Sequence, residues 1–529
     1  MIPVQQLVQI IILVVVNICN SKSASVFSPA DILMIVKDNC AVVTTGEEIN
    51  EEIRHVSSIF NTEDNVVVGR INVDGFLWPD KTEPKFNNKF RNKHDRIIVF
   101  QKIVKDRSCL HKIPELKPNI IEFEATVTIE NLVNFINEHC YTYKSTDGSL
   151  SFEGLHKQEI LSNLYHVENI SNLNMGKMYE DSQTLTCTGS HDNNSCRSSN
   201  EHNLFRLSKI PECERIKMED SMNFFHEYLK ISKPVIIEGA METWKSYKWT
   251  EKFFRKRYGT KEVHIKLTSG GDYEGVESVS LWENYTAFSN NIPLEVKLQL
   301  KFPDLVVVRP ATLNMNFSQF LDLVNRISNQ TLNNLSAYLE YSSIREYFPE
   351  LENDIEEMSF IQGLLNLNHL NIWLSDGNTL GKTHFDPYDN FLCQISGKKE
   401  VILFDPHNNS RLYEAHIPEA ILSYNKEEKI FKRKQLVEST SLVMSPVDIL
   451  KPDFKRFPKF ADAYPLNCTI DAGDVLFIPA FWWHEVQSYP SKSEHRNLAV
   501  NFWYEPFLTK EFPCQDCRLD INPNYRHLL

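Results

Sequence analysis

Three residues with metal-binding side chains stand in two apolar segments far apart in this chain of 529 residues. His384 and Asp386 are two positions apart, so on a strand both side chains point to the same side. His484 follows the second segment, an apolar run that begins after Gly473 and is ended by Pro479. Two imidazoles and one carboxylate can occupy one face of an Fe(II) ion, a ligand set typical of iron oxygenases. The pattern therefore predicts a fold that makes these distant strands neighbours.

The segment after His384 predicts two apolar strands joined by a tight turn. Asn390 continues the first strand, Gly397 provides the turn, and Lys399 opens the second strand. A Ser-Gly turn between two apolar runs is typical of a β-hairpin. Lys399 then stands just past the turn, where a cation facing the metal can neutralise the far carboxylate of a dicarboxylate co-substrate.

Three motifs carry a family resemblance. They are HFDPYDNFLCQISGKKEVILFDP, which begins at His384, DAGDVLFIPAFWWHEV, which ends at Val486, and NFWYEP, which begins at Asn501. Together they resemble the JmjC (cupin-like) 2-oxoglutarate oxygenases, and within that family the hydroxylase branch. The resemblance extends upstream through KPVIIEGA and covers residues 216–508. It implies a double-stranded β-helix (jelly-roll) domain that uses Fe(II), 2-oxoglutarate and O2.

The resemblance also implies a role for particular residues. His384, Asp386 and His484 match the iron ligands of the family. Lys399 matches the lysine that pairs with the far carboxylate of 2-oxoglutarate. Asn390, Asn501 and Tyr338 match positions around that co-substrate. Gly381 stands where many relatives carry a threonine. Thr383 or Thr379 is therefore expected to supply the missing hydroxyl contact.

The charge balance argues against a nucleic-acid partner. The formal net charge is −14, whereas nucleic-acid-binding proteins usually present a basic patch or stripe. The densest basic stretch, residues 85–93, interleaves Phe86 and Phe90 with its lysines. Because this stretch is short, a solvated loop is the preferred interpretation.

The N-terminus carries the features of a targeting segment. Leu7 to Ile18 form a nearly unbroken apolar run followed by small residues, which predicts a signal peptide over residues 1–24. The run is too short for a stable membrane span, although the missing basic segment before it leaves a short anchor as an alternative. Eight Asn-x-Ser/Thr tripeptides fit a glycosylated protein of the endoplasmic-reticulum lumen or a secreted one: Asn169, Asn193, Asn284, Asn316, Asn329, Asn334, Asn408 and Asn467. Asn467 leads into a predicted core strand and is expected to be buried and unmodified.

Cysteines permit disulfides in such a compartment. The chain has 11 cysteines, and their pairing cannot be deduced from the sequence. Cys187 and Cys196 could close a small ring. Cys514 and Cys517 form a CxxC in the tail, residues 509–529, for which a local disulfide is favoured over a redox pair or half of a zinc site, because no second CxxC completes a four-cysteine site.

Residues 26–150 predict a separate α/β domain. Strands are expected over Ile32 to Thr44, Asn65 to Asn72, Arg96 to Gln101 and Ile120 to Phe123, and helices over Glu47 to Phe60 and around Ile129 to Ile136. This order resembles a thioredoxin fold. No CxxC occurs near Thr44 to Glu48, and the paired thiol is what such redox chemistry needs. The domain is therefore expected to serve docking or peptide binding, with residues 151–215 as a polar linker to the oxygenase domain.

The sequence thus predicts an α+β multidomain protein in which a thioredoxin-like domain precedes a jelly-roll oxygenase domain. The expected activity is Fe(II)- and 2-oxoglutarate-dependent hydroxylation of a side chain in a protein or peptide of the secretory pathway. Two alternatives stay open: demethylation of an N-methyl group by the same iron chemistry, and a catalytically silent interaction protein. Neither the substrate nor the oligomeric state follows from the sequence.

Overall fold

The computed structural model describes residues 26–27, 29–36, 39–45, 51–60, 65–71, 96–101, 119–180, 210–217, 223–283, 300–332 and 334–529. The chain divides into two compact units, one comprising residues 1–106, 112–159 and 529, the other residues 107–111 and 160–528. The predicted signal peptide, the basic stretch 85–93, the Cys187 and Cys196 pair and the tripeptides at Asn193 and Asn284 lie outside the described residues.

The N-terminal unit contains a five-stranded sheet in the order β1-β3-β2-β4-β5. Its strands are β1 Val26–Phe27, β2 Cys40–Thr44, β3 Val66–Ile71, β4 Ile97–Phe100 and β5 Ile120–Glu122, and its helices are α1 Pro29–Ile35, α2 Glu51–Ile59 and α3 Ile129–His139. The first three strands pair in parallel, whereas β4 and β5 join antiparallel. Helices α2 and α3 pack against the sheet through a shared apolar cluster.

Local sequence explains α3. The side chain of Thr128 accepts a hydrogen bond from the Asn131 amide at 3.1 Å, as an N-cap residue does. Leu132, Val133 and Ile136 then fall on one buried face. The predicted strand from Ile32 to Thr44 is wrong in its first half, where α1 ends at Ile35 and β2 begins at Cys40. The periodicity of a short apolar run does not distinguish a buried helix from a buried strand. In addition, Pro29, a residue type that favours the first turn of a helix, precedes the predicted segment.

The second unit is built mainly from three sheets. The largest has nine strands, β6 Arg215–Lys217, β7 Val235–Glu238, β8 Glu262–Thr268, β12 Ala311–Asn316, β13 Ser336–Ser343, β14 Leu367–Ser375, β16 Asp389–Ser396, β21 Asp474–Ile478 and β23 Asn497–Tyr504. The second has five, β9 Asp272–Tyr273, β15 Leu380–His384, β17 Lys398–Phe404, β20 Leu466–Asn467 and β22 Trp483–Tyr489. The third contains β10 Val276–Ser278, β11 Leu305–Arg309, β18 Ala415–Asn425 and β19 Ile430–Met444.

Four helices and a small ribbon complete the described elements of regular structure, apart from short 3-10 turns and a single π-helical turn, Phe225–Leu229. They are α4 Phe152–Ser162, which crosses the boundary between the units, α5 Glu251–Tyr258, α6 Phe317–Ser328, α7 Ile344–Tyr347, and the strand pair β24 Leu508–Thr509 and β25 Asp520–Ile521. None of the described helices combines the length and the apolar character needed to cross a membrane.

Successive strands of the second unit alternate between the nine-stranded and the five-stranded sheet. From β14 to β17 each strand lies in the sheet opposite to that of its predecessor, and the same holds from β20 to β23. The predicted hairpin around Gly397 is therefore wrong. Strands β16 and β17 flank Gly397 as expected, but β16 pairs with β21 and β23, whereas β17 pairs with β20 and β22. The turn therefore carries the chain from one sheet to the other.

The predicted linker is not uniformly polar or detached. Met175 and Met178 are fully buried, and Val167 belongs to the core cluster that also contains Trp482. Cys213 forms a disulfide with Cys468. Buried apolar side chains in this otherwise polar segment thus attach much of it to the second unit, which includes residues 160–528.

The tail is also packed onto the second unit. Lys510 Nζ lies 2.7 Å from Glu414 Oε1, and neither side chain is exposed. Cys514 and Cys517 form the favoured local disulfide. The ion pair between Lys510 and Glu414 thus anchors the tail beside the start of β18.

Candidate active site

The two histidines of the predicted triad are cross-strand partners. His384 ends β15 and stands opposite His484 on β22, with ring centroids 4.3 Å apart. The Nδ1 of His384 bonds to the Lys382 carbonyl at 2.7 Å, and that of His484 to the Trp482 carbonyl at 3.0 Å. A carbonyl oxygen only accepts, so each Nδ1 carries the proton and each Nε2 keeps a lone pair for a metal.

Asp386 completes the cluster from just beyond the strand. The sequence placed it on the same strand as His384, but β15 ends at His384. The Phe481 amide donates to the Asp386 carbonyl at 2.9 Å and fixes the backbone there. Oδ2 of Asp386 lies 3.6 Å from Nε2 of His484. The ligand atoms of all three residues lie within 4.8 Å of one another.

Protonation in this cluster suits a divalent cation. Burial opposes ionisation of Asp386, yet the neighbouring imidazoles of His484 and His384 hold the pKa of its carboxyl below the usual value. Burial, together with the neighbouring His484, lowers the pKa of His384. A metal requires neutral imidazole and ionised carboxylate. The three side chains therefore fit an Fe(II) ion in both geometry and charge.

Lys399 lies on the wall of the same cavity as the triad. It is 3% exposed, and its Nζ donates to the Ser488 hydroxyl at 2.7 Å from the facing position on β22. No carboxylate in the described part of the chain forms an ion pair with it, and burial lowers its pKa to about 7. A buried ammonium without an anion is costly, so the site is prepared for an anionic ligand.

This burial predicts that 2-oxoglutarate binds with uptake of a proton above neutral pH. In the free protein Lys399 loses its proton near pH 7, whereas a bound carboxylate favours the ammonium and raises the pKa. We expect the affinity for 2-oxoglutarate to fall on the order of ten-fold per pH unit as pH rises above about 7. Calorimetry between pH 6.5 and 9 in buffers of different ionisation enthalpy measures both effects. In Lys399→Arg, whose guanidinium does not titrate in this range, the slope should disappear; an equally steep slope in that variant contradicts the assignment.

Two asparagines face the cavity from the nine-stranded sheet. Asn501 Nδ2 donates to Asn390 Oδ1 at 3.1 Å. Asn501 Oδ1 accepts from Trp373 Nε1 at 2.7 Å and from Asn371 Nδ2 at 3.3 Å. These bonds fix the orientation of the Asn501 amide. The structure thus brings Asn390 and Asn501 into one network on the cavity wall.

Tyr338 lines the cavity but Thr383 does not. Tyr338 lies on β13 and reaches the wall that His384 and Lys399 share. Thr383 instead donates its hydroxyl to Glu485 Oε2 at 2.7 Å, because it sits between two strand positions whose side chains face the cavity. The expected contact of Thr383 with 2-oxoglutarate is therefore wrong, whereas Thr379 is on the wall.

Gly381 leaves space in that wall. A Cβ built on Gly381 would meet nothing nearer than the Val486 carbonyl at 3.9 Å. Tyr273 lies on the same wall, and its hydroxyl bonds to the Ser336 hydroxyl at 3.3 Å. A Cβ would therefore fit at position 381, and glycine leaves this space in the wall open.

Acidic residues missed by the sequence analysis lie on the same wall as Tyr338. Glu340 is buried, and burial followed by the nearby Glu274 raises its pKa to about 8. Arg309 Nη1 lies 3.4 Å from Glu274 Oε1 and 3.1 Å from Glu419 Oε1. Tyr341 adds an aromatic ring that contacts Trp373. One arginine thus lies between two carboxylates, Glu274 and Glu419, beside a glutamate whose ionisation a further cation would favour.

Alternation along strands could have identified two of the missed residues. Glu340 follows Tyr338 by two positions, and Ser488 follows His484 by four, so each faces the same side as its predecessor. No comparable signal marks Glu274 or Arg309, which come from a loop and from a different sheet.

Comparisons with known proteins match the part of the chain that carries this site. The profile of the Cupin-like domain family matches residues 221–510. The human "Bifunctional peptidase and (3S)-lysyl hydroxylase JMJD7" is 27% identical over 288 residues, which cover 54% of this chain and 81% of that protein. "Lysine-specific demethylase 8" of Danio rerio is 26% identical over 304 residues (56% and 59%). "tRNA wybutosine-synthesizing protein 5" of Gallus gallus is 25% identical over 304 residues (56% and 77%).

Proposed function

Because this chain belongs to the cupin-like family that includes the JmjC proteins, we propose that it is an Fe(II)- and 2-oxoglutarate-dependent oxygenase that hydroxylates a protein side chain. The observation that carries the proposal is the convergence of His384, Asp386, His484 and Lys399 on one cavity. The alternation of strands between two sheets supports a jelly-roll core.

Each residue contributes a definable part of the reaction. His384, Asp386 and His484 would hold the iron through two imidazole nitrogens and a carboxylate oxygen. Lys399 would pair with the far carboxylate of 2-oxoglutarate, and Asn390 and Asn501 offer amide groups to its polar atoms. When bound, Fe(II) and 2-oxoglutarate would supply the electrons that activate O2, which is the oxidant of the reaction. The protein fixes which C–H bond of the substrate lies close to the reacting centre.

The acidic wall favours a basic side chain as the substrate. Burial, followed by the nearby Glu274, raises the pKa of Glu340 to about 8, and a cation entering the cavity would stabilise its ionised form. Tyr341 and Trp503 line the same cavity and offer aromatic faces to an ammonium or guanidinium group. Two relatives whose names specify lysine are consistent with this choice. We therefore propose that a lysine or arginine side chain of a protein is hydroxylated.

A peptide library tests this function and its substrate class together. The protein with Fe(II) and 2-oxoglutarate is incubated with peptides that differ at one central position, and mass spectrometry detects added oxygen. We expect oxidation of peptides with a central lysine or arginine. Glu340→Gln should lower kcat/KM for them roughly ten-fold or more, since a charge-assisted contact contributes about 1.5–3 kcal/mol.

Controls separate this proposal from its alternatives. Glu346→Gln alters an exposed glutamate on α7 and should leave the rate unchanged. Release of formaldehyde from methylated peptides without stable hydroxylation would favour a demethylase instead. Oxidation of tRNA, with no activity on any peptide, would contradict both the protein substrate and the prediction that nucleic acid is not a partner.

We further propose that the N-terminal unit is a thioredoxin-like domain that binds client polypeptides. The strand order β1-β3-β2-β4-β5 and the two helices on one cluster support this interpretation. Cys40 and Cys140 form a disulfide between the start of β2 and the end of α3. These cysteines are far apart in sequence and thus do not form a CxxC, so a role in docking is favoured over thiol exchange.

We propose a secretory-pathway location, which glycosylation can test. Asn169, Asn316, Asn329 and Asn334 are exposed acceptors among the described residues. Asn408 is 1% exposed and its side chain bonds to Asp405, so it should remain unmodified. Endoglycosidase treatment of protein from a eukaryotic secretory system should increase its electrophoretic mobility. Asn329→Gln should remove one glycan and Asn408→Gln none; protein that carries no glycan would contradict the proposed compartment.

A further inference from the structure

A second group of metal-binding side chains lies outside the cavity. His166, Asp405 and His407 bring ligand atoms within 4.8 Å of one another. His166 precedes a 3-10 turn, Val167–Asn169, and Asp405 and His407 come from the turn that follows β17. The imidazole centroids are 3.5 Å apart. None of these residues belongs to the iron cluster or lines its cavity.

Asp405 is a buried and firmly held carboxylate. Its side chain is 2% exposed. Oδ2 accepts from the Val167 amide at 2.9 Å, and Oδ1 accepts from the His407 amide at 3.0 Å and from Asn408 Nδ2 at 3.1 Å. These donors fix both oxygens but are neutral. A buried anion of this kind is normally paired with a cation or a metal.

Permanent cations do not neutralise Asp405 within the described residues. Among the described residues, Asp405 forms an ion pair with His407, whose Nδ1 lies 3.2 Å from Oδ1 of Asp405. The nearest arginine on the same turn, Arg411, pairs with Glu168 at 3.1 Å and with Asn408 Oδ1 at 3.2 Å. The positive charge that complements Asp405 must therefore come from an imidazolium or from a bound metal.

The two imidazoles favour the metal over the proton. Two protonated rings whose centroids are 3.5 Å apart would repel each other, whereas two neutral rings can share one cation. The His407 side chain is 35% exposed, so its ring can rotate to direct a nitrogen toward a shared ion while Asp405 and His166 stay in place. Two neutral imidazoles and one carboxylate are ligands that Zn²⁺ accepts, with water completing a tetrahedron.

We propose that His166, Asp405 and His407 form a second metal site, which binds Zn²⁺ and fastens the segment before β6 to the turn after β17. Val167 N already donates to Asp405 across this junction, and Arg411 pairs with Glu168 there. The same turn accepts a hydrogen bond from Trp483 Nε1 to Asn409 Oδ1 at 2.7 Å. The ion would thus also stabilise the support of the strand that carries His484.

Zinc binding to protein without the iron site tests this proposal independently of catalysis. The background carries His384→Ala and Asp386→Ala, and the purified chain is stripped with a chelator. Titration with Zn²⁺ against a colorimetric indicator should show one tightly bound equivalent. Co²⁺ should give visible absorption of a low-symmetry site, and Zn²⁺ should raise the unfolding midpoint by a few degrees. Mg²⁺ and Ca²⁺, which prefer oxygen ligands, should do neither.

Variants identify the ligands. His407→Ala and His166→Gln should each weaken Zn²⁺ binding at least ten-fold and remove the thermal shift. His264→Ala changes an exposed histidine that bonds to Asn314, and this variant should retain the bound equivalent of Zn²⁺. Because His407 is largely at the surface, the metal-free His407→Ala variant should have the same unfolding midpoint as the metal-free parent. This result would show that the substitution removes Zn²⁺ binding and leaves the fold intact. Absence of a bound equivalent in the parent, or equal affinity in His407→Ala, overturns the proposal.

Discussion

Replacement of His384 or Asp386 by alanine is expected to abolish iron binding and the conversion of 2-oxoglutarate to succinate. Either change removes one of the three ligand atoms that lie within 4.8 Å of one another, and an iron with two protein ligands is neither held nor oriented. The fold should persist, because the His384 and Asp386 side chains line the cavity and are not part of the buried apolar core. Succinate formation and iron content after gel filtration measure the two effects.

A matched control distinguishes loss of a ligand from general damage. His226→Ala changes an exposed histidine that contacts Lys230 and should retain both iron and turnover. Circular dichroism and the unfolding midpoint should be close to the parent values for all three variants. Undiminished succinate formation in His384→Ala or Asp386→Ala would refute the assignment of the triad.

Replacement of Lys399 by methionine is expected to weaken 2-oxoglutarate binding roughly 10²- to 10³-fold, since removal of one partner from a buried ion pair costs about 3–5 kcal/mol. The same change should raise the stability of the free protein. Burial lowers the pKa of Lys399 to about 7, so in the folded state without ligand its charge is unfavourable at every pH below its unfolded pKa. Calorimetry of 2-oxoglutarate binding and denaturant unfolding measure these opposite effects.

The adjacent lysine provides the control. Lys398 precedes Lys399 on β17 but is exposed, and Lys398→Met should alter neither quantity appreciably. Destabilisation of the free protein by Lys399→Met, together with unchanged affinity, would show that the lysine serves the fold and not the co-substrate.

The residues of the candidate site were largely accessible from the sequence. Imidazole, carboxylate and ammonium groups are uncommon next to apolar runs, so His384, Asp386, His484 and Lys399 were conspicuous without any structure. Strand alternation then indicated which neighbours share a face. The wrong expectation for Thr383 came from the family resemblance, whereas alternation explains the outcome, because its neighbours on both sides face the cavity and its own hydroxyl is directed to Glu485.

Pairing between strands was decided only by the tertiary structure. The sequence around Gly397 fits a hairpin, yet β16 and β17 join opposite sheets. A turn motif indicates that the chain changes direction, but it does not indicate which strand each flanking strand pairs with. Similarly, the polar composition of residues 151–215 predicted a linker, although Met175 and Met178 are buried. Burial depends on surfaces supplied by distant segments.

The sequence by itself determined the chemistry available to this protein: two imidazoles, a carboxylate and a lysine on apolar strands. Tertiary structure decided how that chemistry is arranged. It made His384 and His484 cross-strand partners, buried Lys399 with no carboxylate paired to it among the described residues, and placed Glu340 beside Glu274 on the cavity wall. It also brought His166 to Asp405 and His407. The physical reason is that side-chain type and alternation are local properties, whereas distance, burial and pKa are set by elements far apart in the chain.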